Sequence, residues 1–189
     1  MGRTKRNEAL RAVWFEAANE ILATDGYGGL KLAPLCRRLG VTTGAFYHSF
    51  ENWQEFTDSL LATWLRERTQ QTIALARSHK DPAQRLRHLA AAGSELQHRT
   101  EAAIRVWAGV DDRVGAVQQQ VDEARYRVVH DAVAALVGPA RAEAFAVWAM
   151  STLIGYELMA AEHDRAHLTW GLEQIMRAAR AEASSGASQ

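Results

Sequence analysis

The apolar positions of this 189-residue chain recur at helical spacing from end to end, and no stretch alternates as a strand would. Leu10, Val13, Trp14, Ala17, Ala18 and Ile21 make one face of a first helix, predicted over about residues 7–24. Asp25-Gly26-Tyr27-Gly28-Gly29 stops it, because glycine can take the left-handed conformation that closes a helix. Two short helices follow, over about 32–39 and 43–49, with Gly40 between them. Asn52 and Glu55 have the spacing of a capping box and open a long fourth helix through Phe56, Leu60 and Trp64 to about His79-Lys80. Asp81-Pro82 begins a fifth helix with Leu86, Leu89 and Leu96. A sixth is predicted over about 101–108 and a seventh over about 112–137. After Gly138-Pro139 an eighth runs to about Glu162, and a ninth covers roughly 167–182. Pro34, Pro82 and Pro139 all fall where a helix is starting, and there the missing N–H costs nothing. The expectation is an all-α fold of about nine helices. It has an N-terminal three-helix head (1–51), a helical body (52–182) and a disordered tail (183–189) rich in Ser, Ala and Gly.

Composition adds bounds. With 48% hydrophobic and 23% charged residues the chain can bury a sizeable core and reads as an ordinary soluble protein. The uncharged segment 144–156 is too short to span a bilayer, which takes about 20 apolar residues. The N-terminus is charged and shows no signal peptide, so the chain reads as cytoplasmic. The single cysteine, Cys36, excludes an intramolecular disulfide and a cysteine-based zinc site within one chain. Net charge is zero but uneven: residues 1–50 hold seven Lys/Arg against four acids, or +3, which leaves −3 for the remainder. A basic end on an acidic chain points mildly to a polyanionic partner.

The segment 32–50, LAPLCRRLGVTTGAFYHSF, meets the demands of two short helices crossing steeply. Cys36 is small enough for the crossing point, Gly40 can make the abrupt turn, and Val41 can plug it. Thr42 can cap the second helix, while Phe46 and Phe50 anchor it against Leu35 and Leu39. This is a helix-turn-helix, whose second helix enters the DNA major groove. On its outer face Thr43, Gly44 and Ala45 are small enough to approach base edges, and the hydroxyls of Thr42 and Thr43 can bond to bases. Tyr47 and His48 are sized to reach phosphates. Lys31 and the arm Arg3-Thr4-Lys5-Arg6 can meet the backbone, and the arm can also enter the minor groove. Cys36 reads as a buried small residue rather than a redox sensor.

The run from Ala17-Ala18 through Gly26-Tyr27, Gly40-Val41-Thr42, Gly44-Ala45-Phe46-Tyr47-His48 and Phe50 resembles the N-terminal domain of the TetR (tetracycline-repressor-like) family, over about residues 8–61. The resemblance implies that the helix at 43–49 reads DNA, that Tyr47 and His48 hold phosphates, and that about nine helices complete the fold. It also implies an effector, often a hydrophobic small molecule, that reorients the heads through the fourth helix. The chain departs from the family in having Leu35-Cys36 for the usual Ile-Ala, Lys31 for Thr, and Trp53 for a Lys that would contact phosphate.

In the body, the eighth helix is apolar nearly all round: Phe145, Trp148, Ala149, Thr152, Leu153 and Tyr156 on one side, with Ala144, Ser151 and Gly155 small on another. Such a helix is buried nearly all round, most simply by a second copy of the chain. The predicted dimer is a four-helix bundle using Ala144, Trp148, Ser151 and Gly155 together with Leu168, Leu172, Ile175 and Met176. A small-molecule pocket is expected around Trp64, His88, Arg105, Trp107 and Tyr126, aromatic groups with a few polar ones. His163 and His167 are four apart but sit at a turn where solvated histidine is common. No phosphate loop, nucleophile elbow or zinc-protease signature appears, so neither catalysis, cofactor nor metal is expected. The reading is a sequence-specific DNA-binding regulator: a repressor released from a palindromic operator by a small-molecule effector. The alternative is an all-helical small-molecule-binding protein or enzyme that has lost DNA recognition.

Overall fold

Glycine breaks the first helical path where the sequence places the break. In the computed structural model, which describes residues 2–159 and 164–186 and, within them, every side chain but those of residues 2–7, Arg68 and Gly186, α1 (Gly2–Gly29) kinks at Gly26 with φ 69°. The next reversal is at Gly40, φ 66°, after α2 (Leu32–Leu39). There the Gly40 N–H donates to Arg37 O (3.2 Å) and the Val41 N–H to Cys36 O (3.0 Å), the paired bonds of a Schellman cap. The chain continues as α3 (Thr43–Tyr47), α4 (Trp53–Leu65), a π-helical turn (Arg66–Gln70), α5 (Gln71–Ser78), α6 (Pro82–Ser94), α7 (His98–Ala108), α8 (Asp112–Val137), α9 (Pro139–Met159) and α10 (Arg165–Gly186). Among the described residues there is no strand.

Among the described residues ten α-helices stand where about nine were expected, because the expected fourth helix is two helices joined by the π-helical turn. Burial records the slip: the hidden positions step 56, 60, 64, then 69, 73 and 76, one residue more between 64 and 69 than an α-helix allows. The capping signals hold elsewhere. Asn52 Oδ1 accepts from the Glu55 N–H at 2.9 Å, and Asp81 Oδ1 accepts from the Ala83 N–H at 2.9 Å. The last helix exceeds expectation. It continues to Gly186, with Ser184 and Ser185 hydroxyls bonded back to Arg180 O and Ala181 O at 3.0 Å, so only 187–189 of the expected tail remain, outside the described residues.

Packing divides the chain into two compact units, one of residues 1–64 and 97–116, the other of 65–96 and 117–189. This differs from the expected boundary at 51/52, for two reasons. Phe56 and Leu60 of α4 are buried, with Phe56 in the aromatic cluster of the first unit, and α7 lies along α1. Thr100 there donates to Asn19 O at 3.2 Å, and Tyr27 stacks on Trp107 with centroids 5.1 Å apart. In the second unit α10 packs on α9 and α6, and its core gathers Leu86, Val133, Phe145, Leu153, Leu168 and Leu172. Gly171 permits a close crossing, for a Cβ there would lie 3.2 Å from Thr152 Cγ2.

Candidate functional site

The helix-turn-helix is held from behind by rings. Phe46, on the inward side of the short α3, is fully buried, 5.5 Å from Trp14, 5.2 Å from Phe50 and 5.5 Å from Phe56 between centroids. These contacts are edge-on or tilted, as the ring quadrupoles favour. Leu35 and Cys36 close the same core from α2, and burial pushes the Cys36 thiol up, which keeps it a small apolar spacer. Because α3 is anchored on Phe46, its other side faces solvent. Thr42, Thr43, Gly44 and His48 are exposed, Ala45 is half-buried, and Tyr47 is 57% exposed. The anchoring of Phe46 therefore leaves these six expected DNA contacts on the side of α3 away from the core, and Lys31, at the start of α2, is exposed as well. The side chains of Lys5 and Arg6 lie outside the described residues.

Two local readings need correction. Thr42 occupies the N-cap position in extended conformation but makes no side-chain cap bond, which leaves its hydroxyl on the surface. Val41 does not plug the turn: it is 40% exposed, because the Schellman cap spends its N–H on Cys36 and the crossing is already filled by Leu35 and Phe46.

The basic end is only partly available to a polyanion. Arg11 pairs with Glu55 at 2.8 Å, donates to Ser49 O and Ser59 Oγ at 3.3 and 2.7 Å, and lies 4.4 Å over the Phe50 ring. It ties α1 to α4 and to the segment after α3. Arg38 pairs with Glu20 at 3.3 Å, tying α2 to α1. The Glu51 N–H holds the Glu55 carboxyl below its usual range, against the effect of burial and with help from Arg11. Trp53, where the resembled family carries Lys, lies against Phe46 and Phe56 at 5.9 and 5.0 Å, extending the aromatic cluster and offering no cation.

In the second unit, one cavity of about 570 Å³, mouth included, is lined only by apolar residues and glycine, among them Leu86, Phe145, Met150, Leu172 and Ile175. A neighbouring one of about 430 Å³ shares Leu89, Gly93, Val129, Met150 and Leu153 with it and adds Thr69, Thr72 and Arg125. None of the five expected pocket residues lines either cavity. Trp64 is buried in the first unit with its indole N–H on Glu101 Oε1 at 2.8 Å, Trp107 is under Tyr27, and Arg105 is half-buried on α7. His88 faces His79, with ring centroids 5.3 Å apart, and Tyr126 faces His130 at 5.9 Å. Sequence reasoning missed Thr69 and Arg125. The slip in the buried spacing at residues 64–73, where an α-helical phase would bury the charged Glu67, was the available signal.

The expected dimer face divides. Ala144 and Ser151 are exposed on α9, as is Trp148 at 48%, with Gly155 half-buried in line with them. Val147 and Leu158 on α9 and Trp170 on α10, all exposed, add apolar surface. Leu168, Leu172 and Ile175, however, are buried in the core of the second unit and Met176 is half-buried against it, because the apolar face of α10 turns toward α6 and α9. No group of three or more metal-ligating side chains occurs among the described residues; His167 is exposed, and His163 lies outside them. No helix among them is long and apolar enough to cross a membrane.

The first unit thus carries a helix-turn-helix with a solvent-facing second helix, and the second unit is helical and carries cavities. Residues 15–58 match the family model of bacterial regulatory proteins of the tetR family. Over those residues the head resembles that family's, and the chain as a whole shares its fold with solved transcriptional regulators. A transcriptional regulator from Rhodococcus sp. Rha1 superposes with TM-score 0.72 at 21% identity, covering 88% of this chain and 93% of its own. One from Aquifex aeolicus VF5 does so with TM-score 0.69 at 16% identity over 89% and 98%. A candidate regulator from Saccharomonospora viridis in complex with choline gives TM-score 0.75 at 12% identity over 90% and 96%. No curated protein sequence matches.

Proposed function

We propose that the protein is a homodimeric, cytoplasmic repressor that holds a near-palindromic operator and releases it when a small molecule fills the second unit. The observation that carries this reading is the presentation of α3: Phe46 fully buried behind it, and Thr42, Thr43, Gly44, Tyr47 and His48 exposed in front. Thr43, Gly44 and Ala45 bring base edges within reach, while Tyr47, His48, Lys31 and the arm residues Lys5 and Arg6 contact phosphate. The exposed stripe of α9, Ala144, Trp148, Ser151 and Gly155, together with Trp170, supports a two-fold dimer. Such a dimer sets two reading helices about one DNA turn, roughly 34 Å, apart. Two cavities in the second unit support an effector, as does the choline complex of the Saccharomonospora protein. The protein acts by binding and not by catalysis.

The test is selection of genomic fragments by the purified protein, repeated with Tyr47→Ala. One enriched palindrome, weakened in the variant and on adding salt, is the expected result. No enrichment at low salt would end the DNA-binding reading and leave the second unit as the functional part.

A further inference from the structure

We infer that the effector is a straight-chain aliphatic monocarboxylate, its tail in the apolar cavity and its head at Thr69 and Arg125. The inference rests on the proposal that the second unit binds an effector and assigns that ligand its class. Three observations carry it. First, the larger cavity offers no polar side chain, so whatever fills it is hydrocarbon. Second, the adjoining cavity, which shares five lining residues with the first, has a polar end. Thr69 there is 1% exposed and its hydroxyl has no hydrogen-bond partner; the π-helical turn has rotated it inward. A buried hydroxyl without a partner is costly, and π turns concentrate where function needs a side chain re-aimed. Third, Arg125 lines the same end and is 8% exposed. A guanidinium has five N–H donors in a planar fork, so it can serve a protein partner and still bind a carboxylate.

The sign of the head group follows from charge. Arg125 is the single charged residue among those lining the two cavities. An ammonium head would lie against the guanidinium at that end. A carboxylate would accept from both the Thr69 hydroxyl and the guanidinium, and its chain would continue past Leu89, Gly93 and Met150 into the apolar space.

The experiment is calorimetric titration of the full-length protein with dodecanoate, dodecanol and dodecyltrimethylammonium, each below its micelle concentration, with operator release followed in parallel. Dodecanoate should bind at least about tenfold more tightly than the alcohol, the value of one charge-assisted hydrogen bond, and the cation should not bind. Thr69→Val, which removes an unsatisfied hydroxyl at constant shape, should leave thermal stability equal or higher and reduce dodecanoate affinity severalfold, while Thr69→Ser restores it. Equal binding of acid and alcohol, preference for the cation, or indifference of dodecanoate to Thr69→Val would overturn the inference. If dodecanoate fails while neutral apolar compounds bind and release the operator, the carboxylate class falls and the effector reading stands. If no compound of any class binds or releases, both fall.

Discussion

The two units bury their apolar surface in different ways. The first is built on interlocking rings: Trp14, Phe46, Phe50 and Phe56 meet at 5.0–6.4 Å between centroids, and Arg11 and Arg38 tie the helices around them. The second is built on Leu, Val, Ala and Ile with a single phenylalanine, Phe145, and carries the two cavities. Large rings with edge-to-face contacts fix one geometry, which suits the surface proposed to contact DNA. Branched aliphatic side chains around empty space leave contacts unmade, and a ligand can supply them. The first unit packs ring against ring, and the second carries cavities among aliphatic side chains.

The same substitution made in each unit tests that contrast most directly. Phe46→Ala removes a ring with no exposed surface and should cost about 3–5 kcal/mol, most of the stability a small unit has. Phe145→Ala removes a ring that already borders the larger cavity and should cost less, about 2–3 kcal/mol, because fewer contacts are lost. Urea unfolding followed by near-ultraviolet circular dichroism measures both, and equal costs would contradict the contrast. A smaller effect belongs to Arg11→Met, which keeps the aliphatic stem but deletes the bonds to Ser49 O, Ser59 and Glu55. It should lower stability by about 1–2 kcal/mol and weaken DNA binding without touching α3. Unchanged stability would mean that the rings alone set the head.

How much of this was legible in the sequence follows the same division. The head announces itself because each special position has one physical solution. Gly26 and Gly40 take positive φ, Phe46 in α3 and Phe50 just after it are large, apolar and buried, and Asn52 caps α4. Helix boundaries in the body were also readable, since Asp81-Pro82 and Gly138-Pro139 are strong punctuation. What hid was the facing of side chains. Leu168, Leu172 and Ile175 are as apolar as a dimer seam requires, and only packing shows that α10 turns them toward its own α6 and α9. Aromatic residues suggested a pocket, yet Trp64 and Trp107 are filled-in core. The cavities are lined by aliphatic residues, which look like core in any pattern, and the polar end depends on a π-helical turn that no proline or glycine marks.

Acid offers a way to sharpen the account of the head. The Glu51 N–H first, and Arg11 after it, hold the Glu55 carboxyl below its usual range despite some burial. A depressed folded-state pKa means the unfolded chain takes up the proton more readily. The contribution is therefore fully present above the unfolded value, about 4.3, and is lost as pH falls through the folded one. Because the Glu55 side chain is 35% exposed, solvent screening limits the effect to about 0.5–1 kcal/mol. Stability of the wild type should fall between roughly pH 4.5 and 3 more steeply than that of Glu55→Gln. Parallel curves would show that the pair contributes nothing.

The smallest effect lies in the body and has the opposite sign. Gly93 sits in α6, borders both cavities, and an added Cβ would rest 3.8 Å from Leu172 Cδ1, an ordinary contact. Gly93→Ala removes glycine's conformational freedom in the unfolded chain and places a methyl group at the junction of the two spaces. It should raise stability by about 0.5 kcal/mol. The gain should come with a cost to ligand, since the methyl group stands where a chain would pass from the polar end into the apolar space. Thermal unfolding with and without dodecanoate separates the two consequences. A variant that is more stable alone but less stabilised by the carboxylate locates the binding route at Gly93, whereas a variant stabilised as fully as wild type would place the tail elsewhere.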